Sequence, residues 1–309
     1  MKGQKPVVKE KRLKMFVFGE AGVGKTLQAL QFPQAYIIDT ERGTDFYAKT
    51  INEKGSLVLQ SLNSDEVKEE IRELLTTKHD FRTLIIDPVT QIYNACQEKW
   101  TRIFEKYAKT VKDKETQDFG LRYWQKVKAD FKGLQRLLLA LDMNVIVTAH
   151  QKDVYGNNFN KIGVTWDSMR GDDYFFDIIF RIIREGDKRV AITVKERADL
   201  GSNRFPERFE WTYENFCKFY GKEIIEKEST PKPMATAKQV TRVKQLVETV
   251  KIEDEEIDKW FLKADVDSWE EMTSEQIGKC VAFLEKKLKQ ATGGEEKPAK
   301  PTAKAAAKK

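Results

Sequence analysis

The stretch "FVFGEAGVGKTLQAL", Phe16 to Leu30, runs as an apolar strand into glycines and leaves them with the spacing of a helix. Within it Gly19, Glu20, Ala21, Gly22, Val23, Gly24, Lys25 and Thr26 fit the pattern G-x-x-x-x-G-K-[ST]. Glycines let the backbone wrap a phosphate, with successive N–H groups turned inward at a helix start. Lys25 then reaches the β- and γ-phosphates, and the Thr26 hydroxyl is placed to ligate Mg²⁺. A strand before and a helix after supply the context this pattern needs. The expected ligand is a nucleoside triphosphate, ATP, with Mg²⁺.

Working outward, a phosphate site needs a carboxylate at a strand end, near the metal. "TLIIDP" provides Asp87 after a hydrophobic run. "AYIIDTERG" places Glu41 just beyond another strand, where it can orient and deprotonate a water. Strand-like runs at Leu13–Gly19, Ala35–Asp39, Thr83–Asp87, Asn144–Ala149, Asp177–Ile183 and Arg189–Lys195 alternate with helical patterns. That alternation predicts an α/β fold with a mostly parallel sheet. The clearest helix runs from Trp124 to Leu141, with Trp124, Val127, Phe131, Leu134, Leu138 and Leu141 on one buried stripe. A second, Tyr93 to Val111, carries Trp100, Phe104 and Tyr107 on one face, read as core.

After Tyr220 the chain turns polar, and the expected organisation is a basic arm (1–10), an ATPase core (11–225), a linker (226–236), a small helical domain (237–290) and a disordered basic tail (291–309). In the helical domain Val240, Val243, Val247 and Val250 keep one register, Ile257 and Phe261 another. Thr273 and Gln276 of "TSEQ" fit a capping box ahead of Ile277, Val281, Leu284 and Leu288.

The net charge of +6 sits on the two ends: residues 1–14 carry six basic side chains and one acidic, and residues 293–309 carry five lysines and two glutamates. Charge therefore does not by itself assign a nucleic-acid partner. No run approaches the 18 apolar residues of a membrane span. Cys96, Cys217 and Cys280 read as free thiols of a reducing compartment, hence a cytoplasmic protein, in a host cell if phage-encoded. Two histidines and no CxxC argue against zinc.

The order of these motifs resembles the RecA/RadA/KaiC class of P-loop ATPases. Its members carry a catalytic glutamate after the second strand as IDxE, which corresponds to Glu41. The residue after Asp87 is Pro88, whereas AAA+ proteins and many helicases place their water-activating Glu there. "NVIVTAHQK" ends a strand with Thr148 and His150, where the class senses the γ-phosphate; "AITVKERADLG" places Lys195 and Arg197 as the pair inserted into a neighbour's site. The resemblance spans roughly residues 10–215 and is to a minimal core with no large N-terminal domain, like the phage-encoded recombination ATPases associated with single-strand annealing. It implies a homo-oligomer, ring or filament, on single-stranded DNA, with a single-strand-binding protein as a partner for the C-terminal domain. DNA contact is expected from the loop 151–170, through Lys152, Tyr155, Phe159, Lys161, Trp166 and Arg170, and more weakly from 88–122. Alternatives are a hexameric helicase or helicase loader, and an ATP-gated binding protein that barely hydrolyses. A small-molecule kinase is disfavoured because no arginine-rich lid is present.

Overall fold

A computed structural model describes residues 12–108, 113–157, 159–197, 204–231, 233–264 and 266–291. The basic arm, most of the terminal tail and Val111 lie outside these residues. The described chain divides into two units, Met1–Lys232 and Pro233–Lys309.

The first unit is built on nine strands: β1 (Lys14–Gly19), β2 (Ala35–Asp39), β3 (Leu57–Gln60), β4 (Thr83–Asp87), β5 (Asn144–Tyr155), β6 (Lys161–Trp166), β7 (Ile178–Glu185), β8 (Lys188–Glu196) and β9 (Arg208–Glu210). Their order is β3-β2-β4-β5-β1-β7-β8-β9, with β6 pairing only β5. Pairings from β3 across to β7 are parallel; β8, β9 and β6 add antiparallel edges. The expected α/β fold with a mostly parallel sheet is the one observed. In such sheets ligands gather beyond the carboxyl ends of the strands. Gly19, Asp39, Asp87 and His150 all reach that one edge, with Gly19 in register with His150 and Asp39 with Asp87.

The helices of this unit are α1 (Lys25–Ala29), α2 (Ala48–Glu53), α3 (Ser64–Thr76), α4 (Val89–Ala108), α5 (Asp113–Ala140), α6 (Tyr213–Tyr220) and α7 (Lys222–Ile225). Successive strand residues face opposite sides. Met15 and Val17 therefore join a core with Phe32, Phe180, Phe205, Trp211 and Phe216, while Phe16 packs on Trp166 and Phe176. Phe180 meets four aromatic rings. Removing its ring would cost about 3–5 kcal/mol.

Several expectations change. Strand β3 went unread because Leu57 and Val58 are exposed at the sheet edge and show no clean alternation. β6 and β9 were likewise missed, and β5 runs six residues past the expected Ala149. On α5, Val127, Phe131, Leu134 and Leu138 are buried, but Trp124 is 46% exposed, so the buried stripe starts one turn later. On α4, Trp100 and Phe104 are half-buried and Tyr107 is exposed, so the apolar face leaves the core toward the helix end. The region 88–122, where weaker DNA contact is expected, is largely α4 and the start of α5, and the helix expected from Tyr93 starts four residues earlier, at Val89. Part of the expected linker is docked: Arg12 donates to Lys227 O at 2.8 Å and to Glu228 O, and Ser229 Oγ donates to Phe81 O at 3.0 Å.

The second unit comprises α8 (Ala237–Val250), α9 (Asp254–Ala264) and α10 (Ser274–Ala291) around Val243, Leu246, Met272, Ile277 and Leu284. Thr273 and Gln276 make the expected capping box, with N···O distances of 2.8 and 3.2 Å. Thr236 and Gln239 form another at α8. All three cysteines are free.

Candidate nucleotide site

The turn between β1 and α1 is held by conformations that only glycine takes easily. Gly22 has φ +75° and Gly24 φ +92°, both left-handed. A Cβ at Gly19 would collide with the Ile182 carbonyl oxygen on neighbouring β7. The Lys25 ammonium folds back on its own loop, donating to Gly19 O at 2.9 Å and Glu20 O at 2.7 Å. Burial holds its pKa below the usual lysine range, against the pull of Asp87 and Glu41.

Strand β5 lies between β1 and β4, so its polar end stands between the glycine turn and Asp87. One oxygen of Asp87 accepts from Thr26 Oγ1 at 2.6 Å, the other from Thr148 Oγ1. Burial pushes the Asp87 carboxyl up, opposed by those two hydroxyls and by Lys25. Thr26 and Asp87 thus present hard oxygen donors side by side, the donor chemistry Mg²⁺ takes. The residues fit the metal: the Thr26 hydroxyl would bind it directly and Asp87 would hold it through water.

Glu41 is aimed by its surroundings. Asp39 accepts from the backbone N–H groups of Glu41 at 3.1 Å and Thr44 at 2.9 Å, which fixes the loop after β2. The Glu41 carboxylate accepts from Gln91 Nε2 at 2.6 Å and lies 3.0 Å from His150 Nε2. His150 is tied down in turn, its backbone N–H donating to Thr90 Oγ1 at 3.0 Å. Lys25, Thr26, Glu41, Asp87, Thr148 and His150 therefore meet at one edge of the sheet, as their sequence positions suggested. Gln91, one turn into the helix after Asp87, carried no motif and was not foreseen. Neither was the relay in which Arg181 donates to Gln151 at 2.9 Å and Gln151 to Glu20 at 3.2 Å.

Lys195 and Arg197 are placed elsewhere. On β8, Ala191 aligns with Ile182 of β7, which aligns with Gly19, whereas Glu196 aligns with Ile178, which aligns with Met15 near the start of β1. The pair sits at the sheet end opposite its own glycine turn. There Lys195 donates to Phe176 O at 2.7 Å and to Asp173 O, and Arg197 to Tyr174 O at 3.3 Å.

The segment 151–170 is a β-hairpin rather than a loose loop, Gln151–Tyr155 pairing with Lys161–Trp166. Its alternation of polar and apolar residues could have announced β6, but Gly163 and the Asn-rich turn obscured it. Tyr155, Phe159 and Ile162 are exposed at its end, Phe159 by 90%. Lys152 pairs with Asp167 at 3.0 Å and Lys161 with Asp153 at 2.7 Å. Arg170 is exposed. Trp166 is half-buried against Phe16 and Phe18, with ring centroids at 5.7 and 5.5 Å, so its role is packing rather than the expected stacking on bases.

Among the described residues no helix is long and apolar enough to cross a membrane. A protein-family model described as AAA domain matches residues 11–205. No curated protein matches. Among solved structures, the crystal structure of the RadB recombinase aligns with a TM-score of 0.34 and 13% identity, over 64% of this chain and 86% of that one. Pro88 rules out a glutamate directly after Asp87 but not a family of that description. The glycine turn, the paired Thr26 and Asp87 oxygens and the Glu41 carboxylate lie within the matched residues, and this chain belongs to the AAA-domain family of P-loop ATPases.

Proposed function

We propose that this chain is a Mg²⁺-ATP-dependent, RecA-like recombination ATPase that self-associates on single-stranded DNA in the cytoplasm and promotes strand pairing or annealing. The observation that supports it most is the placement of two half-sites at opposite ends of one sheet. Lys25, Thr26, Asp87 and Glu41 stand at one end, Lys195 and Arg197 at the other. Head-to-tail stacking of copies brings the cations of one onto the nucleotide of the next. Tyr174 and Val194, beside the pair, are 75% and 50% exposed, apolar surface suited to such a contact.

In the hydrolytic step Lys25 turns from Gly19 O and Glu20 O to the β- and γ-phosphates, and Thr26 and Asp87 hold Mg²⁺. Bound Mg²⁺ neutralises phosphate charge. Glu41, steadied by Gln91 and His150, takes the proton of the attacking water as its oxygen bonds to the γ-phosphorus; the bond from that phosphorus to the bridging oxygen breaks, and ADP and inorganic phosphate are the products. Lys195 and Arg197 of the neighbour meet the charge that develops. Exposed Tyr155 and Phe159 stack on bases, and the hairpin's lysines and Arg170 meet the backbone. The C-terminal helical unit recruits a partner, a single-strand-binding protein being the one proposed.

The test is the ATPase rate per subunit against protein concentration, with and without single-stranded DNA. The expected result is a rate that rises with concentration and with DNA. A rate independent of both leaves a solitary nucleotide-binding protein, and unwinding of a tailed duplex would favour the helicase reading instead.

A further inference from the structure

The hairpin joining β7 and β8 is rich in charge, and its cations are almost all paired. Arg184 lies 3.9 Å from Asp187 and Lys188 3.7 Å from Glu210, while Arg208 of β9 meets Glu185. Arg189 is the exception. It is only partly exposed, its Nε is buried without a hydrogen-bond partner, and its guanidinium makes no hydrogen bond or ion pair among the described residues. Leaving such a donor buried and unmatched is costly, the more so for a charged group.

Its position explains what the vacant donors face. The Arg189 side chain lies directly against Gly24, so that a Cβ there would collide with Nε and Cδ. With Gly22, Lys25, Thr26, Gly43 and Tyr47 it lines a cavity of about 240 Å³ beside the glycine turn. A planar fork of five N–H donors is the geometry that recognises phosphate oxygens. No carboxylate lines the cavity to take that role.

We propose that Arg189 is a phosphate-binding residue supplied in cis, contacting the nucleotide held by its own Gly19–Thr26 turn. It acts on the same subunit's ligand, unlike Lys195 and Arg197, and its buried Nε–H is satisfied when nucleotide enters. Gly24 is then required twice, for its left-handed φ and to leave room for this side chain. The inference rests on the nucleotide-binding reading above.

The experiment titrates the full chain, its R189A and R189K variants and K25A with ADP and ATPγS by calorimetry, and follows melting with and without each nucleotide. R189A should weaken both nucleotides roughly ten- to hundredfold, as loss of a charge-assisted contact does. R189K should recover part of the loss. Without nucleotide R189A should melt at or above the wild-type temperature, since the arginine has no protein partner to lose. Wild-type affinity in R189A, or a melting temperature well below wild type in both R189A and R189K without nucleotide, would overturn the inference and leave the nucleotide site standing. No nucleotide binding by the wild-type chain would overturn both.

Discussion

His150 Nε2 lies 3.0 Å from Glu41 Oε1, so the last polar residue of the β5 core segment grips the carboxylate that follows β2. Two residues read separately in the sequence, one as a sensor and one as a base, are a single unit. Gln91 shares the same oxygen at 2.6 Å. Glu41→Gln should keep nucleotide affinity and lower kcat by roughly 10²- to 10⁴-fold, the usual worth of a positioned base. His150→Ala and Gln91→Ala, which remove only the aim, should cost about tenfold in kcat with KM little changed. Steady-state ATPase assays with separate nucleotide titrations check both.

Asp87 is buried with each oxygen claimed by a threonine. Thr148→Val keeps shape but strips one donor, and should destabilise the chain by about 1–3 kcal/mol. Mg²⁺ added with nucleotide should recover less of the melting temperature in Asp87→Asn than in Thr148→Val, because only the former loses the charge facing the metal. Thermal melts at graded Mg²⁺ decide it.

Asp172 is 1% exposed and accepts from Gln135 Nε2 at 2.5 Å, its other oxygen unmatched. Burial, helped by Asp173, raises its pKa from 3.8 to about 7. The folded chain therefore holds the proton more tightly than the unfolded chain. No cost arises below about pH 4, and the cost grows until pH passes about 7. Stability from this group falls as pH rises across that window. Asp172→Asn should flatten the dependence and stabilise the chain by on the order of 2–4 kcal/mol at pH 8, read from denaturant melts at pH 5 and pH 8.

Mixing tests the composite site. K25A lacks its own phosphate lysine but keeps Lys195 and Arg197; the double variant Lys195→Ala, Arg197→Ala has the reverse defect. Each alone should be inactive, while equimolar mixtures should regain up to roughly a quarter to half of wild-type ATPase activity if sites form between copies and subunits exchange. A mixture no better than its parts would place each site within one subunit.

At the hairpin, Tyr155→Ala and Phe159→Ala should each weaken single-stranded DNA binding by about 1–3 kcal/mol, the worth of one stacked base. Trp166→Ala should chiefly lower the melting temperature, because its ring fills space against Phe16 and Phe18. Fluorescence anisotropy with a labelled oligonucleotide separates the two effects.

The parallel half of the sheet was legible because buried parallel strands are unbroken apolar runs, and Ala35–Asp39 and Thr83–Asp87 were read to the residue. Edge elements were not: Leu57–Gln60 and Lys161–Trp166 have exposed faces that blur the two-residue alternation. The phosphate turn and Asp87 announced themselves through local patterns. Gln91, Gln151 and Arg189 serve the site only through pairings across 50 to 131 positions or across the sheet, and no window along the chain contains both partners.

Strand β5 runs from Asn144 to Tyr155, with a break in register between Val154 and Tyr155, touching Asp87 through Thr148 and Glu41 through His150, and ending among the exposed rings of the hairpin. At about 3.3 Å per residue, some 17 Å separate His150 from Tyr155. The strand that steadies the Glu41 carboxylate through His150 is thus the same one that carries the exposed ring of Tyr155, five residues further along.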